Sequence, residues 1–279
     1  MGSGKGKNQG VSLGGGKGGT GKTTVAVNLA LTAARLGLDV TYTDCDVEEP
    51  NGHIFLKPEL HASVPVAVPV PELNEELCTA CGACKNICRY NALALIGKQL
   101  LTFPNLCHGC GGCTLVCPTG ALTETPREIG MVEEGWSGRV RFVHGRLNVG
   151  EATSPPVIRQ VRKTVPDDGL VILDSPPGTS GPVIGTVSRT DFVLLVTEPT
   201  PFGLHDLKLA VDMLRTLGIG FGVVVNRSDI GDDRTVEYCA SEGIDLLAQI
   251  PDDRGIAEAY SRGEPAIVGS SSMRDIMSD

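Results

Sequence analysis

The chain is short of aromatics: one Trp, four Tyr and six Phe amount to 4% of its 279 residues. Its core must therefore rest on Val, Leu, Ile and Ala. At 41% hydrophobic and 20% charged, there is enough apolar material for one large globular domain, or one large and one very small. Basic charge is also scarce. The 24 Lys and Arg face 33 Asp and Glu, a net charge of -9, so no broad basic field advertises nucleic acid or an anionic membrane. Long apolar runs are missing too, since the longest are strand-sized and a bilayer needs roughly 20 residues. The opening MGSGKGKNQG carries lysines with no apolar run behind them, which does not read as a secretory leader. A soluble cytoplasmic protein in a reducing compartment is the expectation.

Glycine and clustered cysteine are in excess. The 36 glycines are about twice the usual share, as phosphate-binding turns and tight connections would require. Of ten cysteines, eight fall between Cys78 and Cys117, a clustering that suggests a metal cofactor and not disulfides. Cys45 and Cys239 stand apart and read as small buried hydrophobes.

Along the chain the pattern is strand, glycine loop, helix, strand. The strand Val11 to Leu13 enters GGGKGGTGKTT, a helix follows to about Leu36 with Gly37 as its stop, and DVTYTD is the next strand. ASVPVAVPVPEL alternates valine with proline, which a central strand tolerates poorly, so it reads as an edge-like extension leading out of the sheet. After the cysteine block the rhythm resumes: RVRFVHGRLNV as one or two strands, PPVIRQVRKTV as a helix, then strands at GLVILD, DFVLLVT, GFGVVVN and IDLLAQI separated by helices. The fold expected is α/β, with a mostly parallel, doubly wound sheet interrupted by a small module; the glycine loop makes it a P-loop NTPase fold. The domains expected are 1–71 and 125–279 for the sheet and 72–124 for the insertion.

Gly16-Lys17-Gly18-Gly19-Thr20-Gly21-Lys22-Thr23 satisfies G-x-x-x-x-G-K-T between a strand and a helix, with Thr24 next. Glycines let the backbone turn its N–H groups toward a polyphosphate, whose charge also faces the helix N-terminus. Lys22 can reach the β and γ phosphates, and Thr23 can supply an oxygen to Mg2+. Asp174 ends the apolar strand GLVILD, where a magnesium-organising carboxylate belongs. Asp46, in DCDVEEPN, can orient or activate water, and Asp44 precedes it by two residues.

These residues resemble the deviant phosphate-loop motif of the ParA/MinD ATPases. The resemblance covers nearly the whole chain outside the cysteine block. It implies that Lys17 is the signature lysine reaching phosphate across a homodimer interface, that Asp46 and Asp174 are the two switch aspartates, and that Asn226 recognises adenine. It also places Pro251 and Asp252, within IPDD, along the base pocket. ATP or ADP with Mg2+ is implied, as is an ATP-dependent homodimer or a heterodimer with a paralogue. The short acidic tail SSSMRDIMSD gives no basic amphipathic helix, so no stable membrane anchor is expected.

The cysteine block repeats one spacing: Cys78-x2-Cys81-x2-Cys84-x3-Cys88, then Cys107-x2-Cys110-x2-Cys113-x3-Cys117. This is the signature of bacterial two-cluster ferredoxins, in which the fourth cysteine of each run crosses to the other cluster. One [4Fe-4S] cluster is then expected on Cys78, Cys81, Cys84 and Cys117, and a second on Cys107, Cys110, Cys113 and Cys88. Thiolates suit iron, whereas zinc sites favour C-x2-C pairs with longer spans between them. The combination resembles MinD-like ATPases with an inserted ferredoxin domain. It implies slow or partner-stimulated ATP hydrolysis coupled to electron transfer with a redox partner. Cluster assembly or delivery to an iron–sulfur acceptor, redox-sensing positioning, and clusters kept only as folding staples are the alternatives.

Overall fold

The computed structural model describes residues 9–16 and 18–278. In chain order its elements begin with β1 (Gln9–Gly14), α1 (Lys22–Arg35), β2 (Val40–Asp44), α2 (Gly52–Leu56) and β3 (Glu59–Leu73). The cysteine region holds α3 (Ala83–Ile87), β4 (Leu93–Ile96), β5 (Gln99–Thr102) and α4 (Gly112–Leu115), and runs out through β6 (Leu122–Ser137). Then come β7 (Val140–Leu147), α5 (Pro155–Lys163), β8 (Leu170–Asp174), α6 (Gly181–Val187), β9 (Phe192–Thr197), α7 (Pro201–Leu217) and β10 (Gly220–Asn226). The chain closes with α8 (Arg234–Ser241), β11 (Leu246–Ile250), α9 (Arg254–Ser261), α10 (Ala266–Gly269) and α11 (Ser271–Ile276).

Nine strands form one sheet in the order β11-β10-β9-β1-β8-β2-β7-β6-β3. From β11 through β7 every pairing is parallel. This is the α/β architecture expected, and the strands are the Val- and Leu-rich runs that a sheet covered on both faces requires. Two of the few aromatics lie inside it: Tyr42 and Phe142, both fully buried, stack at 5.8 Å. VRFVHGRL is one strand, not two around a turn.

The valine–proline segment lies on β3, at the sheet's edge. Its alternation does two jobs. Val66, Val68 and Val70 are buried, while Pro65 and Pro69 are exposed. Pro65, Pro69 and Pro71 share a parity, so their missing N–H groups all fall on one side of the strand. Asn74, of the opposite parity, donates to Ala121 on the β6 side at 2.8 Å. The prolines therefore stand where no ladder bond is owed.

The chain divides into two compact units: Val64–Met131 with Leu147–Val157, and the remainder. Residues 72–124 lie inside the first of these, whose limits take in the adjoining parts of β3 and β6. It contains the β4–β5 hairpin and a small core of Leu93, Leu100, Leu122 and Cys84.

Candidate functional site

In the sheet unit, three strand ends meet at one level. Register pairs Leu13 of β1 with Asp174 of β8, and Asp174 with Asp44 of β2. The glycine loop leaving β1 thus begins beside two carboxylates. Glycine is required in it by space: a Cβ on Gly16 would run into Asp206, and one on Gly15 would lie 2.7 Å from the Val196 carbonyl oxygen. A Cβ on Gly18 or Gly19 would meet nothing within 4 Å among the described residues, so the backbone there is open to a ligand. Gly21, at φ +94, caps α1 with no side-chain hydrogen bond, leaving the first-turn N–H groups for an anion. Lys17 lies outside the described residues.

Lys22 opens α1 and is buried; burial pulls its pKa down, opposed by the charges of Asp174 and Asp46. Asp174 is buried, and its pKa is raised by that burial against the hydrogen bonds of the Thr23 and Tyr42 hydroxyls and the charge of Lys22. Tyr42 Oη donates to its Oδ2 at 3.0 Å, while Oδ1 has no hydrogen-bond partner. A buried carboxylate oxygen left open beside the Thr23 hydroxyl fits a hard cation, which prefers oxygen ligands. Asp44 serves the loop instead. Its Oδ1 accepts from Asp46 N–H at 3.1 Å, and its Oδ2 accepts from Asn51 and Gly52 N–H at 3.1 and 3.0 Å. That carboxylate folds the segment carrying Asp46 over the strand ends. Asp46 itself is pushed up to about 6 by burial and by Asp174, with Lys22 opposing.

A cavity of about 460 Å3 runs from Gly18, Lys22, Thr23, Thr24 and Asp46 to Asn226, Pro251 and Asp252, a volume suited to a nucleotide. Asn226 spends one amide hydrogen on the loop, donating to the Thr20 carbonyl at 3.0 Å. Sequence reasoning did not single out Arg227 and Tyr260, which line the same cavity. Arg227, at φ +51, pairs with Glu198 at 2.9 Å. Tyr260 stands on α9 and tilts against Phe55 of α2 at 4.9 Å. The one available signal was an aromatic in an aromatic-poor chain, ten residues past Ile250.

In the cysteine unit, Cys78, Cys81, Cys84 and Cys117 line one cavity, and Cys88, Cys107, Cys110 and Cys113 line another. The local backbone repeats along with the sequence. Ala80 and Gly109 take left-handed φ of +54 and +65, and Gly82 and Gly111, at +75 and +70, cap α3 and α4. All eight sulfurs are free thiols. Burial raises Cys84 and Cys113. Burial acts the same way on Cys117, but the Leu122 N–H and the Thr119 hydroxyl outweigh it and hold that thiol low. Among the described residues no three His, Cys, Asp or Glu are close enough to share a single metal ion. A cubane makes a different demand, because each thiolate binds its own iron at a corner and the four sulfurs ring a cavity. Two separate rings of four thiols fit that demand. Cys45 and Cys239 are buried, with thiols raised by burial, and take no part.

No helix among the described residues is long and apolar enough to cross a membrane. An uncharacterized protein of Methanocaldococcus jannaschii, MJ0579, is 30% identical over 257 residues, covering 91% of this chain and 90% of its own length. An iron–sulfur cluster carrier protein of Aquifex aeolicus is 26% identical across 92% of this chain, which spans 61% of that relative. Among solved structures, the septum site-determining protein MinD of Pyrococcus horikoshii, complexed with Mg-ADP, superposes with a TM-score of 0.61. The alignment covers 97% of this chain and 93% of that one at 19% identity. The family model for the CobQ/CobB/MinD/ParA nucleotide binding domain matches residues 11–266, from the strand before the glycine loop to α10, and the chain belongs to that family.

Proposed function

We propose that this chain is a Mg-dependent ATPase holding two [4Fe-4S] clusters, in which nucleotide-driven pairing of two chains gates electron transfer to a protein acceptor. The observation that carries this reading is the pair of four-thiol cavities in a chain that also has the nucleotide cavity. Each ring is completed by one chain, which suits resident clusters better than clusters held for release. When bound, such clusters supply one-electron oxidation and reduction.

The residues divide the ATPase work. The loop backbone from Gly16 to Gly21 and Lys22 would hold the β and γ phosphates. Thr23 and the open oxygen of Asp174 would hold Mg2+. Asp46, kept in place by Asp44, would orient the attacking water and must be ionised to do so. Lys17 from a second chain would neutralise charge developing on the phosphate. Asn226, Pro251 and Asp252 would border the base.

The relatives named iron–sulfur cluster carriers favour a second reading, delivery of clusters to an apo-acceptor. Anaerobic reconstitution separates the two. The chain is reduced under EPR and then incubated with acceptor, with and without MgATP. Clusters that stay on this chain and pass electrons in a MgATP-dependent way are expected; transfer of intact clusters would establish delivery, and clusters that neither reduce reversibly nor leave would overturn both. Pairing is read separately, by sedimentation of an Asp46→Ala variant. Its mass should double on adding MgATP, and an unchanged mass with ATP demonstrably bound would overturn the switch.

A further inference from the structure

The two cysteine runs fold as copies of each other, and the copying extends to the cavity walls. Ala80 and Gly109 share a left-handed backbone, as do the helix caps Gly82 and Gly111. The strands that follow begin at matching places, β4 at Leu93 five residues after Cys88 and β6 at Leu122 five residues after Cys117. Their third residues, Leu95 and Glu124, correspond in space as well. A Cβ on Gly82 would lie 3.5 Å from Leu95 Cδ2, and one on Gly111 would lie 3.1 Å from Glu124 Oε1. Thr119 and Tyr90 form a second matched pair, each two residues past a run's fourth cysteine. Leu95 and Thr119 line the first cavity, ringed by Cys78, Cys81, Cys84 and Cys117, where Glu124 and Tyr90 line the second.

The matched pairs differ in hydrogen bonding and in charge. The Thr119 hydroxyl lies 3.8 Å from the Cys117 sulfur, within hydrogen-bond reach of so large an acceptor. A thiolate bound to iron has no proton to give, so the hydroxyl is the donor there. In the second cavity the Tyr90 ring is instead stacked on His108 at 3.7 Å and 12°. Glu124 sets a carboxylate against the turn between Cys110 and Cys113, where the first cavity has the hydrocarbon of Leu95. Other features are shared or offset. Gly109 N–H donates to the Cys107 sulfur at 3.4 Å, and Ala80, in the same left-handed conformation, presents the corresponding N–H in the first run. Apolar side chains wall both cavities, Leu73, Leu100 and Leu122 in the first and Pro71, Ile87 and Leu93 in the second. The Arg127 guanidinium is within electrostatic reach of Cys107, but the two Glu151 oxygens clamp it at 2.6 and 2.7 Å and offset its charge.

We propose that the Thr119 hydroxyl and the Glu124 carboxylate set the two clusters at different reduction potentials, the cluster of the first cavity above that of the second. This rests on the occupancy of both cavities by clusters, as proposed above. Reduction adds one electron, and so one negative charge, to a cluster. A donor to a ligating sulfur favours the reduced form and raises the potential; a carboxylate close by disfavours it and lowers the potential. The two side chains stand at different cavities and act in opposite senses, so their effects add in the difference between the centres. Neither holds iron, and each is a positioning residue. An electron arriving on the chain comes to rest in the first cavity, beside Thr119.

The test uses the full chain, reconstituted anaerobically, with iron and acid-labile sulfide assayed before an EPR-monitored titration with dithionite at pH 8. The parent chain should hold about eight irons and titrate in two steps. Thr119→Val should lower the higher potential by about 28 mV, a threefold change in the one-electron equilibrium, and leave the lower in place. Thr119→Ser, which keeps the hydroxyl, should titrate as the parent does. Glu124→Gln should raise the lower potential by a similar amount and leave the higher in place. In 1 M salt, where screening acts over about 3 Å, the Glu124→Gln shift should shrink while the Thr119→Val shift persists. The two variants thus close the gap from opposite sides, which a loosened structure does not do. Both side chains are exposed, so the variants should load; Thr119→Ala removes the hydroxyl without added bulk should valine obstruct loading. A single step in a fully loaded parent, two unchanged potentials in the loaded variants, a widened gap, or both variants moving one and the same step would overturn the proposal. A parent chain without iron and sulfide would overturn the occupancy reading together with it, and the metal assay tells the two failures apart.

Discussion

In the sheet unit, the groups that would touch phosphate sit at the ends of strands whose interiors are solid Val, Ile and Leu. In the cysteine unit, a small cluster of Leu93, Leu100, Leu122 and Cys84 is joined by the buried valines of β3, Val66, Val68 and Val70, and α3 and α4 are one turn long. The first unit has an apolar interior large enough to fix its site before any ligand arrives. The second has little apolar area to offset chain entropy, and groups bound by its thiols would supply much of its stability. Small modules commonly solve their stability problem this way.

The sharpest way to break this comparison is to strip the metal. Chelation of a reconstituted chain should unfold α3, the β4–β5 hairpin and α4, seen as loss of amide-exchange protection there, while α1 and β8 stay protected. Equal protection before and after would refute the contrast. Next in size, Lys22→Ala should cut ATP turnover by about 10²–10³-fold with iron content unchanged, measured by phosphate release. Smaller again is Gly21→Ala. At φ +94 a new Cβ would lie 2.4 Å from Asn226 Nδ2 and displace it from Thr20, so nucleotide affinity should fall and stability should drop by about 1–3 kcal/mol in denaturant titration.

The smallest effect concerns Asp46. Its folded pKa, about 6, lies above the ordinary carboxylate value, so folding favours the protonated form and the ionised form is a cost that appears as pH rises toward 6. Asp46→Asn should therefore stabilise the nucleotide-free chain by about 1 kcal/mol at pH 8, a figure discounted for partial solvation, and by little near pH 4. The same variant should lose hydrolysis, and parental kcat/KM should decline below about pH 6. Gain of stability with loss of activity is what a strained functional carboxylate gives.

Much of the sheet unit was legible because strand, loop and helix each left a local mark: continuous apolar runs, a glycine string between two of them, and an acid at a strand end. The edge position of β3 was legible through its prolines. What the sequence hid was non-local. β6 continues sixteen residues, through TPREIGMVEEGWS, where charge masks the alternation. The Asp44 clamp depends on backbone N–H groups seven and eight residues away, which carry no side-chain signature. Arg227 and Tyr260 reach the nucleotide cavity from different elements. The crossing of Cys88 and Cys117 between the two cavities could be anticipated only from the repeated spacing, in which a three-residue gap sets the fourth cysteine of each run apart from the first three.

The bond between Asn74 N–H and Ala121 O has a consequence for how such a chain could arise. It pinches the polypeptide into a neck where it enters and leaves the cysteine segment, so that the two ends of residues 75–120 meet across one hydrogen bond. A two-residue turn could close that neck and leave an ordinary hairpin of β3 and β6 behind. Segments whose ends meet in this way can be acquired, lost or exchanged without disturbing the host.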